Sequence, residues 1–532
     1  MKLTSILVQN HSRVNDFRIE VRDHLVLVGT NESGKSSILR CLDLMLGTPT
    51  AQLYAKITPA DVRDHRHPFI VEVELSNTGD AKTPQFAEHI RLRLTARVDA
   101  DGETMHIERG EVGEHARALT TRQLEQLGWI YLSDSFAEKN ETRSRNIVDE
   151  LLENADLDHE KNNFVEQSER LSGMLESSPS LFELRKRIAR VLTTALPGQY
   201  NPNNLVFEPG SKLTGNPFSD VHLQLRMHGE QRELWAQSGG MRSIYNVAMV
   251  DLLNSRTQII GMDEPETHLH PTSQRNLARL LKEGGSQKII ATHSPDIIGE
   301  FEPDQIVVAR AEGGVVQPRR DFLSKDDKLL LHMWVRDRLE PLTAEHVIVV
   351  EGVTDRALVE HCADVTGRNL DTYGIVLLEA GGCGEMPSWR RVFGERGFQV
   401  PLSQLIDEDA QDVMSRQYGV PVERLEDRGV WVSHKDLEDE YVRALGADTA
   451  LEALASGGLF NASELRPLRA ARSAGVLSDD QVADFCRIRS HKTRAVLSVI
   501  PHINAKVARR IGSIESMLST VIDAHRRLTR MN

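Results

Sequence analysis

Residues Gly29-Thr30-Asn31-Glu32-Ser33-Gly34-Lys35-Ser36 satisfy the spacing G-x-x-x-x-G-K-[ST] at every fixed position. They lie between an apolar run, His24-Leu25-Val26-Leu27-Val28, and a helical run that opens Ser37-Ile38-Leu39. Consecutive backbone N–H groups in such a loop, with the positive end of the next helix behind them, cradle phosphate oxygens. In that geometry Gly29, Asn31, Gly34 and Ser37 line a cradle for ATP, Lys35 reaches the β- and γ-phosphates, and Ser36 holds Mg²⁺. Two later strand ends supply what hydrolysis needs. The run Gln258-Ile259-Ile260-Gly261-Met262 delivers Asp263, a metal anchor, and Glu264, which would orient the attacking water. The run Lys288-Ile289-Ile290-Ala291-Thr292 delivers His293, expected to contact the γ-phosphate.

A second set of chemistry-bearing residues lies in the C-terminal half. Glu351 and Asp355 follow the apolar run His346–Val350, Asp407 and Asp409 follow Val400–Ile406, and Asp436 and Glu438 follow Gly429–Ser433. One helical turn would carry Glu351 and Asp355 to the same strand end, where open α/β sheets bind ligands. Alternate residues of an extended segment point the same way, so Asp407 and Asp409 are expected to share a face, and Asp436 and Glu438 have the same spacing. Three such ends make a site for two hard cations about 4 Å apart, which activate water and stabilise the leaving oxygen of a phosphodiester. The expected ion is Mg²⁺, with Mn²⁺ or Ca²⁺ as substitutes.

The elements that must position these residues imply an α/β chain of several domains. At 532 residues the chain exceeds a single core. Alternating stretches at Phe69–Leu75 and Ile90–Thr95 read as antiparallel strands, whereas the mostly apolar strands before Asp263 and His293 read as a parallel sheet covered on both faces. Charged residues with helical spacing suggest a helical insertion over 138–200, either a dimerisation element or a solvated hairpin. The expected layout is an ATPase lobe in two parts, 1–137 and 201–320, a linker at 321–343, and a second α/β domain with appended helices at 344–532.

The net charge of −14 argues against a surface coated in positive potential, although a local patch could still contact phosphates; Arg185, Lys186, Arg187 and Arg190 read equally as such a patch or as a solvated helix face. The four cysteines lack CxxC spacing, which suggests reduced thiols. No apolar run approaches the roughly 20 residues a bilayer needs, and the N-terminus reads as a strand rather than a secretion signal. No membrane association and a cytoplasmic location are therefore expected.

Ser238-Gly239-Gly240 resembles the signature loop of ABC-type ATPases, with Gln237 and Met241 where that family usually has leucine and glutamine. The resemblance spans roughly residues 1–320 in the order phosphate loop, signature, Asp-Glu-Pro-Glu and histidine. It implies that Ser238, Gly239 and Gly240 close on ATP held by a second subunit. The family's glutamine loop has no clear counterpart, and Asp61 is the nearest stand-in.

The acids after residue 344 resemble a Toprim domain, with a Glu-Gly after the first strand and an Asp-x-Asp after a later one. An ABC-type ATPase followed by Toprim looks like the OLD-family nucleases, a group that includes the ATPase-nuclease subunit of Gabija-type anti-phage systems. The likeness implies that Glu351, Asp355, Asp407, Asp409, Asp436 and Glu438 ligate metal. Lys492 resembles the family's downstream lysine, which steadies charge on the scissile phosphate; a lysine on a basic surface helix is the competing explanation. Between Gly381 and Val400 the pattern is loose, and Glu408 adds a carboxylate.

The expected activity is ATP-dependent, metal-dependent DNA cleavage or nicking by a homodimer or larger assembly, with antiviral defence or DNA processing as its setting and an accessory helicase as one partner. The alternatives are an ATP-driven DNA-binding sensor or scaffold that does not cleave, and a topoisomerase, which needs a nucleophilic tyrosine.

Overall fold

The computed structural model describes residues 1–76, 88–113, 118–132, 170–195, 200–209, 221–227, 230–233, 259–267, 269–327, 331 and 340–531. It divides into two compact units, Met1–Gln317 with His332–Asp337, and Pro318–Leu331 with Arg338–Asn532. The signature residues Ser238, Gly239 and Gly240, and most of the expected insertion at 138–200, lie outside the described residues.

The first unit carries two main sheets. Strands β1 (Lys2–Gln9), β2 (Phe17–Glu20), β4 (Phe69–Ser76), β5 (His89–Val98) and β6 (Met105–Glu111) form an antiparallel sheet in the order β2-β1-β4-β5-β6. Strand β5 alternates as the sequence suggests, with Ile90, Leu92, Leu94 and Ala96 buried and the residues between them largely outward. The other sheet contains β3 (Leu25–Gly29), β7 (Trp129–Leu132), β11 (Ile259–Asp263), β12 (Gln287–Ala291), β13 (Ile306–Ala309) and β14 (Val315–Val316), in the order β14-β13-β3-β12-β11-β7. Its strands are parallel except for the β13–β14 pair. Every residue of β3 and β12 is buried, as a sheet covered on both faces requires.

Gln287 fastens the two sheets. Its Nε2 donates to Leu3 O at 2.9 Å and Arg22 O at 3.0 Å, and its Oε1 accepts from Leu3 N at 2.7 Å. The helix Lys35–Leu46 buries Ile38, Leu39, Leu42, Met45 and Leu46 along one face. In β11, Gly261 leaves room for Trp129: an added Cβ would lie 2.5 Å from the indole Cη2. A smaller sheet, β8 (Leu205–Pro209), β9 (Val221–Met227) and β10 (Glu230–Glu233), pairs in the order β10-β9-β8. Arg185, offered by the sequence for phosphate contact, is instead buried on the helix Pro179–Ala195, where it donates to Leu205 O at 3.3 Å and Glu176 O at 2.8 Å.

The second unit is built on a four-stranded parallel sheet: β15 (His346–Val350), β16 (Ile375–Glu379), β17 (Leu402–Ile406) and β18 (Val430–Val432), in the order β16-β15-β17-β18. The appended helices run from Leu437–Leu445 to Gly512–Met531. The last is tied back by Arg368, whose guanidinium meets both Glu515 oxygens at 2.6 and 2.8 Å. Within the stretch 318–331, Phe322 and Leu323 are buried, and Asp327 takes a two-pronged bond from Arg391 at 2.6 and 2.8 Å. Among the described residues no helix is long and apolar enough to cross a membrane.

Candidate active sites

The strand order β3-β12-β11 brings three C-terminal strand ends side by side. The phosphate loop leaves β3 at Gly29, where an added Cβ would lie 2.3 Å from Ser33 Oγ and 2.4 Å from Ala309 O. Gly34, at φ 95°, turns the chain into the helix through the left-handed region that glycine tolerates. Asn31 is exposed at the loop tip and Ser37 is half-buried. Lys35 is buried and folded back on its own loop, donating to Gly29 O at 3.1 Å and Thr30 O at 2.9 Å. Burial lowers its pKa, with Glu264, Asp263 and Glu266 opposing that shift.

Ser36 Oγ donates to Asp263 Oδ1 at 3.0 Å, and Tyr131 Oη donates to Oδ2 at 3.4 Å. The two expected Mg²⁺ holders are therefore already in contact. Asp263 is raised by burial, with Ser36 and Tyr131 countering through their hydrogen bonds and Glu264 adding to the rise. Glu264 adopts φ 44°, which swings the chain off β11, while its N–H still donates to Ala291 O at 2.9 Å. His293 Nε2 lies 3.4 Å from Glu264 Oε1 without hydrogen-bond geometry. Burial and then Lys35 lower its pKa, with Glu264 opposing. Beside them Glu266, which sequence reasoning passed over, accepts from Thr292 Oγ1 at 2.6 Å, His293 N at 2.7 Å and Ser294 N at 3.1 Å. Asp61, the stand-in for the glutamine loop, pairs with Arg40 at 3.1 Å and caps its own turn through Thr58.

In the second unit, adjacent strand ends present the acids. Glu351 Oε1, after β15, accepts from Asp407 N, after β17, at 3.2 Å. Asp355 caps the helix Val353–Val365 by accepting from Gly352 N at 3.0 Å. Glu438, only 2% exposed, stands 3.5 Å from Lys492 Nζ at the start of the helix Lys492–Val499. Ser433 Oγ, at the end of β18, donates to Asp407 Oδ1 at 2.8 Å, a contact the sequence signals only as a polar residue closing an apolar strand.

The electrostatics describe one shared cluster. Asp407 is pushed up to about 7, by burial first and then by Glu351, with Ser433 opposing and Asp355 and Glu438 adding. Burial also raises Glu351, Asp355 and Glu438, and neighbouring acids add to the rise of Glu351 and Glu438. Burial alone would lower Lys492, but Glu438, Asp407 and Asp355 hold it above the usual lysine range.

Two expectations need correction. Asp407 and Asp409 do not share an extended segment: Glu408–Ala410 turns as a 3₁₀ helix, leaving Asp409 exposed, though it still acts on Glu351. Asp436 and Glu438 are likewise not alternate residues of a strand, because Asp436 is the N-cap of the helix Leu437–Leu445. Its Oδ1 accepts from Asp439 N at 2.8 Å and from Arg487 Nη2 at 3.1 Å, and Arg487 Nε bonds its Oδ2. Of that acidic run, Glu438 alone joins the cluster. Asp439 is taken by Arg443 and His434, and Glu440 by Ser513. Glu408 accepts from Lys435 N at 2.9 Å and fixes a loop.

The donors suit a hard divalent cation: all are carboxylate oxygens, and their mutual repulsion in a buried place is what such an ion would relieve. Among the described residues no three His, Cys, Asp or Glu side chains already converge on one ion.

Residues 25–299 match the family described as "AAA domain, putative AbiEii toxin, Type IV TA system", and residues 342–409 match "Overcoming lysogenization defect protein-like, TOPRIM domain". The chain is 24% identical over 416 residues to a protein named OLD nuclease from Thermus scotoductus, covering 71% of this chain and 77% of the relative. It is 25% identical over 173 residues to Endonuclease GajA of Bacillus cereus, covering 31% and 30%. It is 22% identical over 482 residues to Old nuclease of Escherichia phage P2, covering 78% and 80%. Among solved structures, the SmcHead bound to the C-winged helix domain of ScpA aligns at TM-score 0.41 and 17% identity, over 60% of this chain and 98% of that one. The C-terminal region of the Xanthomonas campestris pv. campestris OLD protein aligns at TM-score 0.29 and 21% identity, over 35% and 98%. The chain belongs to that AAA domain family, and its ATPase domain is followed by an OLD-like TOPRIM domain.

Proposed function

We propose that this chain is an ATP-hydrolysing, divalent-metal-dependent DNA endonuclease or nickase. The observation that carries it is the contact of Glu351 with Asp407 at neighbouring strand ends of one parallel sheet, with the helix-borne pair Glu438 and Lys492 within electrostatic reach of Asp407. Similarity to proteins named nucleases over most of their length supports it.

In the ATPase unit, Lys35 would leave the Gly29 and Thr30 carbonyls for the β- and γ-phosphates, and Ser36 and Asp263 would hold the cation between them. Glu264 would orient water towards the γ-phosphate, and His293 would face that phosphate from β12. In the Toprim unit Glu351, Asp355, Asp407, Asp409 and Glu438 are the proposed ligands, and Mg²⁺ the proposed ion. A pair of such ions supplies activated water and stabilises the leaving oxygen. Lys492 would exchange Glu438 for the scissile phosphate. Asp436 would serve by fixing the helix that carries Glu438.

Function as a homodimer in the cytoplasm, with Ser238–Gly240 completing the partner's ATP site, and a role in defence belong to the same proposal. The test is incubation with supercoiled plasmid and each divalent cation, with and without ATP. Nicked or linear product from the parent but not from Asp407→Ala is the expected result. Equal cutting by Asp407→Ala would falsify the assignment. The Glu438–Lys492 pair favours a second reading, a sensor that binds DNA without cutting it. Calorimetric titration with Mn²⁺ that detects no binding dependent on Asp407 would support that one instead.

A further inference from the structure

We infer that Glu266 is a positioning residue for ATP hydrolysis: it sets His293 against Glu264 by gripping the backbone where β12 ends. The inference rests on the first unit being an ATPase. Glu266 is 8% exposed, and one of its oxygens carries the whole load. Oε1 accepts from Thr292 Oγ1 at 2.6 Å, His293 N at 2.7 Å and Ser294 N at 3.1 Å, three consecutive residues of the β12 exit. Oε2 is buried with no hydrogen-bond partner. A buried carboxylate oxygen without a donor destabilises a fold, so packing alone gives no reason for this group.

Geometry supplies one. Glu266 belongs to the turn that follows Glu264, closed by Thr267 N and Thr267 Oγ1, which donate to Glu264 O at 3.0 and 2.8 Å, and by Leu269 N, which donates to Glu266 O at 2.9 Å. The same short turn thus carries the water-orienting carboxylate and the anchor for the histidine. Glu264 Oε1 and His293 Nε2 stand 3.4 Å apart, on strands joined at this point by the Glu266 side chain. Ser294 adds a second fixing point, donating through Oγ to Gln274 Oε1 at 2.7 Å. Loss of Glu266 frees the backbone of His293, and its side-chain hydrogen bonds all go to residues 292–294 rather than to the phosphate loop.

The experiment compares the parent chain with Glu266→Ala, Glu266→Gln, His293→Ala and the double variant Glu266→Ala/His293→Ala. Amide hydrogen exchange over residues 292–294 is followed without nucleotide, together with binding of a fluorescent ATP analogue and steady-state ATPase with Mg²⁺. Glu266→Ala should lose protection at the His293 and Ser294 amides and lose roughly 10- to 100-fold in kcat, with Kd for the analogue held within about threefold. Glu266→Gln keeps an acceptor at Oε1 and should stay within about fivefold of the parent on every readout. The double variant should be no slower than His293→Ala alone, because residues acting as a unit are not additive.

Glu266→Ala with the parent's kcat, or with an effect that multiplies that of His293→Ala, would overturn the inference. So would a loss of nucleotide affinity in step with kcat, which marks a merely structural role. If Glu266→Ala does not fold, Thr292→Val removes one of the three bonds and should lower kcat several-fold; an unchanged kcat overturns the inference. A parent that hydrolyses no ATP overturns the ATPase reading itself, whereas failure of the variants alone leaves that reading intact.

Discussion

Replacing Asp407 by Asn removes one negative charge from a buried cluster and keeps a group able to accept from Ser433. In the metal-free fold the Asp407 carboxyl stands at about 7 instead of its ordinary 3.8, chiefly through burial and the charge of Glu351. A carboxyl raised in this way binds a proton more tightly in the folded than in the unfolded chain. Its cost is absent below pH 3.8, grows as pH rises, and is complete above about pH 7. At 1.36 kcal/mol per tenfold change in proton affinity, the full cost is about 4 kcal/mol. The Asn variant does not titrate and escapes it. A kcal/mol moves Tm by roughly 2–4 °C in a domain of this size, so the variant should melt about 10 °C above the parent at pH 8 in EDTA. The gap should shrink steadily towards pH 4. Scanning calorimetry across that range is the assay, and a millimolar divalent cation should then stabilise the parent but not the variant. A gap that is the same at pH 5 and pH 8, or a variant that melts below the parent at pH 8, would refute the claim that these acids repel one another in a shared buried site.

Three further outcomes follow from individual contacts. Lys35→Ala should abolish binding of a fluorescent ATP analogue while leaving the cation-dependent Tm rise of the Toprim unit in place. Loss of both would mean that Lys35 supports the fold rather than the phosphates. Lys492→Ala leaves Glu438 buried without its cation at 3.5 Å; single-turnover nicking should fall roughly 10²–10³-fold, as when a charge-stabilising donor is removed, with DNA affinity nearly retained. Gly261→Ala would push a Cβ to within 2.5 Å of the Trp129 ring, costing about 1–3 kcal/mol in urea unfolding as overpacking does. Trp129→Leu in the same chain should recover most of that loss.

Strand ends were legible in the sequence because burial writes itself into composition. The runs before Gly29, Asp263 and Glu351 are mostly apolar, those before His293 and Asp407 carry two polar residues each, and every one becomes a strand of a parallel sheet. A polar residue that closes such a run must sit where the sheet meets solvent, so the positions of Asp263, His293, Glu351 and Asp407 followed from the pattern, and that of Lys35 from the glycine spacing of its loop. What the pattern does not carry is the conformation of the first residues after the strand. Pairing Asp407 with Asp409 and Asp436 with Glu438 assumed that extended backbone continues past the strand. The chain instead turns at once, into a 3₁₀ turn after Asp407 and into a capped helix at Asp436.

The third acidic run makes the physical reason plain. Asp436, Glu438, Asp439 and Glu440 are chemically near-equivalent, and a helix starting one residue later would send a different one into the cluster. The phase is set by Asp436 accepting from Asp439 N, and it is held by partners far away in sequence: Arg487 on Asp436 and Ser513 on Glu440, with Arg443 on Asp439 from within the same helix. Asp436 and Asp439 are paired with arginines and Glu440 is hydrogen-bonded by Ser513, all outside the cluster, which leaves Glu438, alone of the four, opposite Lys492. Glu266 escaped notice for a related reason. It lies in the quoted Asp-Glu-Pro-Glu, but its work is done on the backbone of residues 292–294, and a backbone acceptor has no sequence partner to betray it. In both places the acids that make or steady the chemistry are selected by cations and amides from distant segments, so their roles become visible only once the strands have brought those segments together.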